Sequence, residues 1–136
     1  MVYWINRLIG TMSASEDLKE GEYNSIILDC RLLADGYNEP VPVMNFIKNA
    51  MAHYEIASQR KERLVLRCEA GISRSNAVAV ALLVGHCSFE FEEAVKYVKK
   101  KVKRAQIDST LLNCIRSLFG AKHVGEFNRP EPKVNG

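Results

Sequence analysis

A chain of 136 residues, 47% apolar and 26% charged, has the composition of one ordinary globular domain large enough to bury its own core. Its net charge of +3 is too small to argue for a nucleic-acid partner. No cationic and apolar leader opens the chain, and the apolar stretch at residues 76–84 is far too short to span a bilayer, so a cytoplasmic protein is expected. Four cysteines at irregular spacing suit a reducing compartment. His53, His86 and His123 are scattered and no Cys-x-x-Cys occurs, so no metal is expected.

In chain order, residues 2–5 and 8–9 read as short strands. Ser13-x-x-Glu16 has the form of a capping box opening a helix to about residue 20. The β-branched run at residues 25–30 predicts a buried strand, and residues 34–40, dense in turn formers, a loop. From residue 42 to about 58, Val43, Met44, Ile47, Ala50, Met51 and Tyr54 recur at intervals of three and four, which predicts an amphipathic helix. A strand at residues 64–67 then leads into an almost wholly apolar helix from residue 73 to about 85.

Ser88 is a candidate cap for a further helix, with Glu90, Glu92 and Glu93 early and lysines late, as the macrodipole prefers. Asp108 caps a last helix ending near Gly120, with Leu111, Leu112, Ile115, Leu118 and Phe119 toward the core. The alternation predicts an α/β fold: a central, mostly parallel twisted sheet of four to five strands flanked by helices, with a site at a strand's carboxyl end. Residues 1–124 read as the domain and residues 125–136, with Pro130 and Pro132, as a loose tail.

The chemistry concentrates between the strand at 64–67 and the apolar helix. Cys68 is followed six positions later by Arg74 and then Ser75. That Cys–Arg spacing arises by chance about one time in four on this composition, but adding Gly71 and the hydroxyl after the arginine lowers this to roughly one in eight hundred. A short strand-to-helix loop, Glu69, Ala70, Gly71, Ile72 and Ser73, turns its backbone N–H groups inward and makes an anion nest. A cysteine at its base meets a helix N-terminus and an arginine, both of which favour thiolate over thiol. Arg74 in the first helical turn can fold back on two phosphate oxygens at once, which lysine cannot do. Gly71 permits close approach of backbone to a ligand, and the Ser75 hydroxyl can hydrogen-bond the sulfur.

These residues resemble the signature loop of the cysteine-based protein tyrosine phosphatases, and Ala-Gly-Ile-Ser-Arg-Ser is most similar to the dual-specificity branch. The resemblance extends more weakly over residues 2–119. It implies a sheet flanked by helices, hydrolysis of phosphomonoesters in a phosphorylated protein through a phosphocysteine, and no cofactor. Cys68 would be the nucleophile, Arg74 with the loop residues 69–73 the phosphate grip, and Ser75 the aid to thiolate departure. The family usually carries His before the cysteine, where this chain has Arg67. That arginine either supplies compensating charge or points to solvent.

The resemblance also implies a general acid some thirty residues upstream. Asp35, in a glycine-containing turn 33 residues before Cys68, is the first choice, and Asp29, at a strand end, the second. The alternative for Asp35 is a turn-forming aspartate whose side chain hydrogen-bonds its own backbone. Cys30 is a candidate redox partner for Cys68, though a packed core thiol is the simpler account. Lys96, Lys99, Lys100, Lys101, Lys103 and Arg104 form a basic run, read first as a solvated helix face and second as an attraction for acidic phosphopeptides or anionic lipid headgroups. Two further alternatives share the scaffold: a phosphoprotein-binding module without turnover, and a phosphoinositide or RNA 5′-phosphatase. Lysines within the loop would favour the last, and the loop has none. Nothing in the chain indicates an oligomeric state.

Overall fold

A computed structural model of the chain describes residues 2–13, 25–33, 39–69 and 72–119. Among the described residues, four strands form one sheet in the order β1-β2-β4-β3, with β1 at Tyr3–Trp4, β2 at Ile9–Ser13, β3 at Ser25–Asp29 and β4 at Arg63–Cys68. β1 runs antiparallel to β2, while β2 and β3 both run parallel to β4. The register sets Ser13 beside Cys68 and Asp29 beside Arg67, so the carboxyl ends of all three parallel strands lie at one edge.

Alternation along β4 sorts its side chains between two faces. Leu64, Leu66 and Cys68 join the main core, to which all four helices contribute, while Val65 packs with Val2, Met12 and Trp4 on the other face. The helices are α1 (Pro40–Arg60), α2 (Arg74–His86), α3 (Phe91–Lys101) and α4 (Ser109–Leu118). Pro40 occupies the first turn of α1, where its missing N–H is not needed, and Lys61 ends the helix in a left-handed conformation. α1 begins two residues before the periodicity predicts.

Every residue of α2 from Ser75 to Val84 is buried. The helix packs against β2, β4, α1, α3 and α4, which is why its sequence is apolar all round. α3 and α4 bury single stripes, Ala94, Val95 and Val98 in one and Leu111 and Ile115 in the other.

Two readings change. Ser13 ends β2, with its Oγ donating to the Glu69 carbonyl at 3.0 Å, so it serves strand and loop, while residues 14–20 of the expected helix lie outside the described residues. Strand β2 therefore reaches four residues beyond the expected position 9. It is buried throughout, and Gly10 is needed there because a Cβ would come within 2.5 Å of Val2 Cγ1 and 2.7 Å of Trp4. Ser88 does not cap α3 either. It takes a left-handed turn conformation, and Glu90 and Glu93 form the capping box instead. Glutamate is an uncommon cap, so the preference for serine pointed two residues too early. Asp108 caps α4 as expected, accepting from the Leu111 amide at 3.0 Å.

Candidate active site

Strand β4 ends at Cys68, and α2 begins at Arg74. Cys68 belongs to the inward face of the strand and is only 2% exposed. Its thiol donates to Ser75 Oγ at 3.2 Å. In the thiolate form the same contact reverses, and the hydroxyl donates to sulfur. Ser75 is fully buried in the first turn of α2, so it faces the sulfur by burial as well as by hydrogen bonding.

Between them, the loop is held from three sides. Ser13 Oγ fixes the Glu69 carbonyl, and the Ile72 carbonyl accepts from the Gln106 amide and from Asn76 Nδ2, both at 3.0 Å. The Ser73 hydroxyl accepts from the Asp108 amide at 2.9 Å. The Ser73 side chain makes no capping hydrogen bond at the α2 N-terminus, and a helix N-terminus is a place where first-turn amides can meet an anion. A cleft of about 400 Å³ opens there, lined by Cys68, Glu69, Ile72, Ser73, Arg74, Gln106 and Asp108. Ala70 and Gly71 lie outside the described residues.

Arg74 lines the cleft and also reaches across to β3's carboxyl end. Its Nη1 donates to the carbonyls of Leu33 at 3.1 Å and Arg31 at 3.4 Å. The guanidinium has five N–H donors in a planar fork, so two such bonds leave others for a ligand. Asp35 lies outside the described residues.

Asp29 is differently placed. Its carboxylate takes Arg31 Nη2 at 2.6 Å, Nε at 2.9 and 3.1 Å and the Arg31 amide at 3.0 Å, with Arg67 Nη2 at 3.5 Å. The Arg31 hydrogen bonds hold this carboxyl well below the usual carboxylate range, against the opposing pull of partial burial. A carboxylate so paired has no proton to give near neutrality.

Arg67 keeps the partial exposure of a strand-end arginine, its side chain being 29% exposed. Strand alternation turns it to the face opposite the Cys68 thiol, where Asp29 of the neighbouring strand meets it. That contact, at 3.5 Å, is longer than any that Arg31 makes to the same carboxylate. Cys30 is buried in the same core as Cys68, with its thiol pushed well up by burial and by the nearby Cys68. All four cysteines are free. Among the described residues, no cluster of His, Cys, Asp or Glu could hold a metal ion, and no helix is long and apolar enough to cross a membrane.

Cys68, Glu69, Ile72, Ser73 and Arg74 line one cleft, with Ser75 hydrogen-bonded to the Cys68 sulfur behind it. Ser13, Asn76, Gln106 and Asp108 were not anticipated as supports of the loop. Asn76 carried a signal, as a buried amide in an apolar helix has to find a partner. Gln106, more than thirty residues downstream, carried none.

No protein-family profile and no curated protein matches the chain. Solved structures do. A leucine-rich-repeat and phosphatase-domain protein from Entamoeba histolytica superposes with a TM-score of 0.74 at 20% identity, over 92% of this chain and 94% of that one. The human tyrosine phosphatase-like serine/threonine/tyrosine-interacting protein gives 0.74 at 15% identity, over 90% and 97%. A variant of human DUSP28 gives 0.73 at 16% identity, also over 90% and 97%. The fold of this chain is that of the dual-specificity phosphatases.

Proposed function

We propose that the chain is a cytoplasmic protein phosphatase that hydrolyses phosphotyrosine, and also phosphoserine and phosphothreonine, through a phosphocysteine. One observation carries this reading: a cysteine thiol at the end of the central parallel strand, hydrogen-bonded to Ser75 and sharing a cleft with Arg74 at the N-terminus of α2. Residues 1–124 would form the catalytic domain.

In this reading Cys68 Sγ attacks phosphorus in line as the bond to the leaving oxygen breaks. Arg74 and the loop amides from Glu69 to Ser73 hold the equatorial oxygens as charge spreads over them. Asp35 gives its proton to the departing oxygen. A water then attacks the phosphocysteine, Asp35 takes the water's proton, and the S–P bond breaks with the Ser75 hydroxyl donating to the leaving thiolate. The free cysteines support a reducing compartment.

A binding module without turnover is the second reading, motivated by Arg67 standing where the resembled family carries His. A panel of phosphotyrosine, phosphothreonine, phosphoinositide and RNA 5′-triphosphate substrates separates the possibilities, with Cys68→Ser as the blank. Phosphate release from the phosphopeptides that vanishes in the serine variant is expected. Tight phosphopeptide binding without release would favour the binding module.

A further inference from the structure

The basic run of α3 is left unneutralised by a chain that had the means to neutralise it. Lys96, Lys99, Lys100, Lys101 and Lys103 are all exposed, and their combined charge exceeds the +3 of the whole molecule. At 3.6 residues per turn, Lys96, Lys99 and Lys100 share the face opposite the buried Ala94, Val95 and Val98.

Two glutamates open the same helix, and Glu92 stands four residues before Lys96, the spacing that pairs opposite charges on a helix. Neither is used that way. Glu92 reaches Arg116 of α4 at 2.6 Å, and Glu93 closes the capping box on the Glu90 amide at 3.1 Å. None of the five lysines forms an ion pair with a described residue, and only Lys101 has another partner, the ring of Tyr97 at 5.4 Å. Like charges one turn apart repel, and the helix C-terminus offsets this only in part.

The C-terminal end of this run lies close to the cleft along the chain. α3 ends at Lys101, and the chain then runs directly to Gln106, whose amide holds the Ile72 carbonyl of the loop and whose side lines the cleft. Lys103 lies three residues before Gln106, so their Cα atoms are at most about 11 Å apart, the span of roughly three extended residues. Lys99 and Lys100 follow one helical turn farther back.

We propose that this lysine face receives an acidic stretch of the protein substrate, a few residues from the phosphorylated side chain. The proposal rests on the phosphatase reading for its substrate and adds the preference that selects among phosphoproteins. Charge complementarity at this range acts on encounter and orientation, and leaves the chemistry of phosphate transfer untouched.

Two phosphotyrosine peptides, identical except for Glu or Gln at the positions three to six residues on either side of the phosphotyrosine, test it. Wild type should show kcat/KM about tenfold higher for the Glu peptide at low salt, within the usual range of electrostatic steering. That preference should fall to within about twofold near 1 M salt, where screening acts over about 3 Å. The variant with Lys96, Lys99, Lys100 and Lys103 all changed to Gln should lose the preference while keeping its rate on a small aryl phosphate, which has no flanks. Should that variant fold poorly by circular dichroism, the K99Q/K103Q pair should show a partial loss.

A wild-type ratio near one overturns the proposal, as does a ratio that survives the lysine changes. So does binding to phosphatidylserine vesicles through these lysines with no discrimination between the peptides. Absence of any Cys68-dependent turnover of the aryl phosphate would instead defeat the phosphatase reading. Fluorescence anisotropy of the two labelled peptides would then decide the docking question, and equal binding would overturn it.

Discussion

Replacing the Cys68 sulfur by oxygen should separate binding from turnover. Cys68→Ser leaves the loop amides and Arg74 in place, so affinity for inorganic phosphate should persist while hydrolysis falls by at least about a hundred-fold, an unassisted hydroxyl being a weak nucleophile. Arg74→Lys should lose both, because a point charge cannot replace the planar fork; phosphate titration beside initial rates reads the two losses separately. For the general acid, Asp35→Asn should slow phosphotyrosine hydrolysis by roughly a hundred-fold and an activated aryl phosphate less. Asp29→Asn should leave the pH profile of the rate unchanged. The sign follows from its ion pairs: a carboxyl lowered on folding contributes stability above its unfolded value near 3.8 and loses it only as pH falls through the lower folded value. Asp29 therefore stays ionised wherever the rate is measured, and a shifted acid limb in Asp29→Asn would show that it carries the transferred proton. At this scale the sequence was most legible for Cys68 and Arg74, where residue type and spacing are both demanded by the chemistry. Arg67 was illegible because its meaning depends on which face of β4 it occupies and on Asp29 being its neighbour in register.

Elements were readable where burial imposes a period. The stripes of α1, α3 and α4 and the unbroken apolar run of α2 all follow from what each helix packs against. Strand β2 was underestimated because Gly10 and Ser13 are weak strand formers, although here both are buried. That burial makes Gly10 a sensitive position. Gly10→Ala should destabilise by roughly 1–3 kcal/mol, the usual range for overpacking a tight core, as Val2 and Trp4 are forced aside. Denaturant unfolding should show a lower midpoint with an unchanged slope. The loop supports were legible only in part, since hydrogen bonds to the Glu69 and Ile72 carbonyls come from residues far away in sequence.

For the whole molecule, substrate breadth is the open consequence of architecture. In the sequence between β2 and β4, no run resembles the aromatic-bearing loop with which strict tyrosine phosphatases wall a deep phosphotyrosine cleft. A shallow entrance should admit phosphothreonine, with phosphotyrosine faster because a phenol departs more readily than an alkanol. Matched phosphopeptides differing only in that residue test this, and phosphothreonine turnover below detection would show the entrance to be deep. The α/β class and the parallel sheet were accessible from the alternation of strands and helices. Strand order was not, because placing β4 between β2 and β3 depends on contacts between distant segments.

Helix α2 is enclosed along its length, yet its first turn presents Arg74, Ser75 and Asn76 to the loop. The reactive centre is thus mounted on the innermost beam of the structure, with no independent foundation of its own. It can assemble only when the surrounding helices have closed on α2, so a half-folded chain has no weakened version of the site to offer. Trp4, the sole tryptophan, lies in the cluster on the opposite face of the sheet and gives an optical signal remote from the chemistry. In a urea titration, its fluorescence and the Cys68-dependent rate should fade along one curve, as expected for an all-or-none transition. If the rate fell while the fluorescence held, the beam would be looser than its enclosure implies.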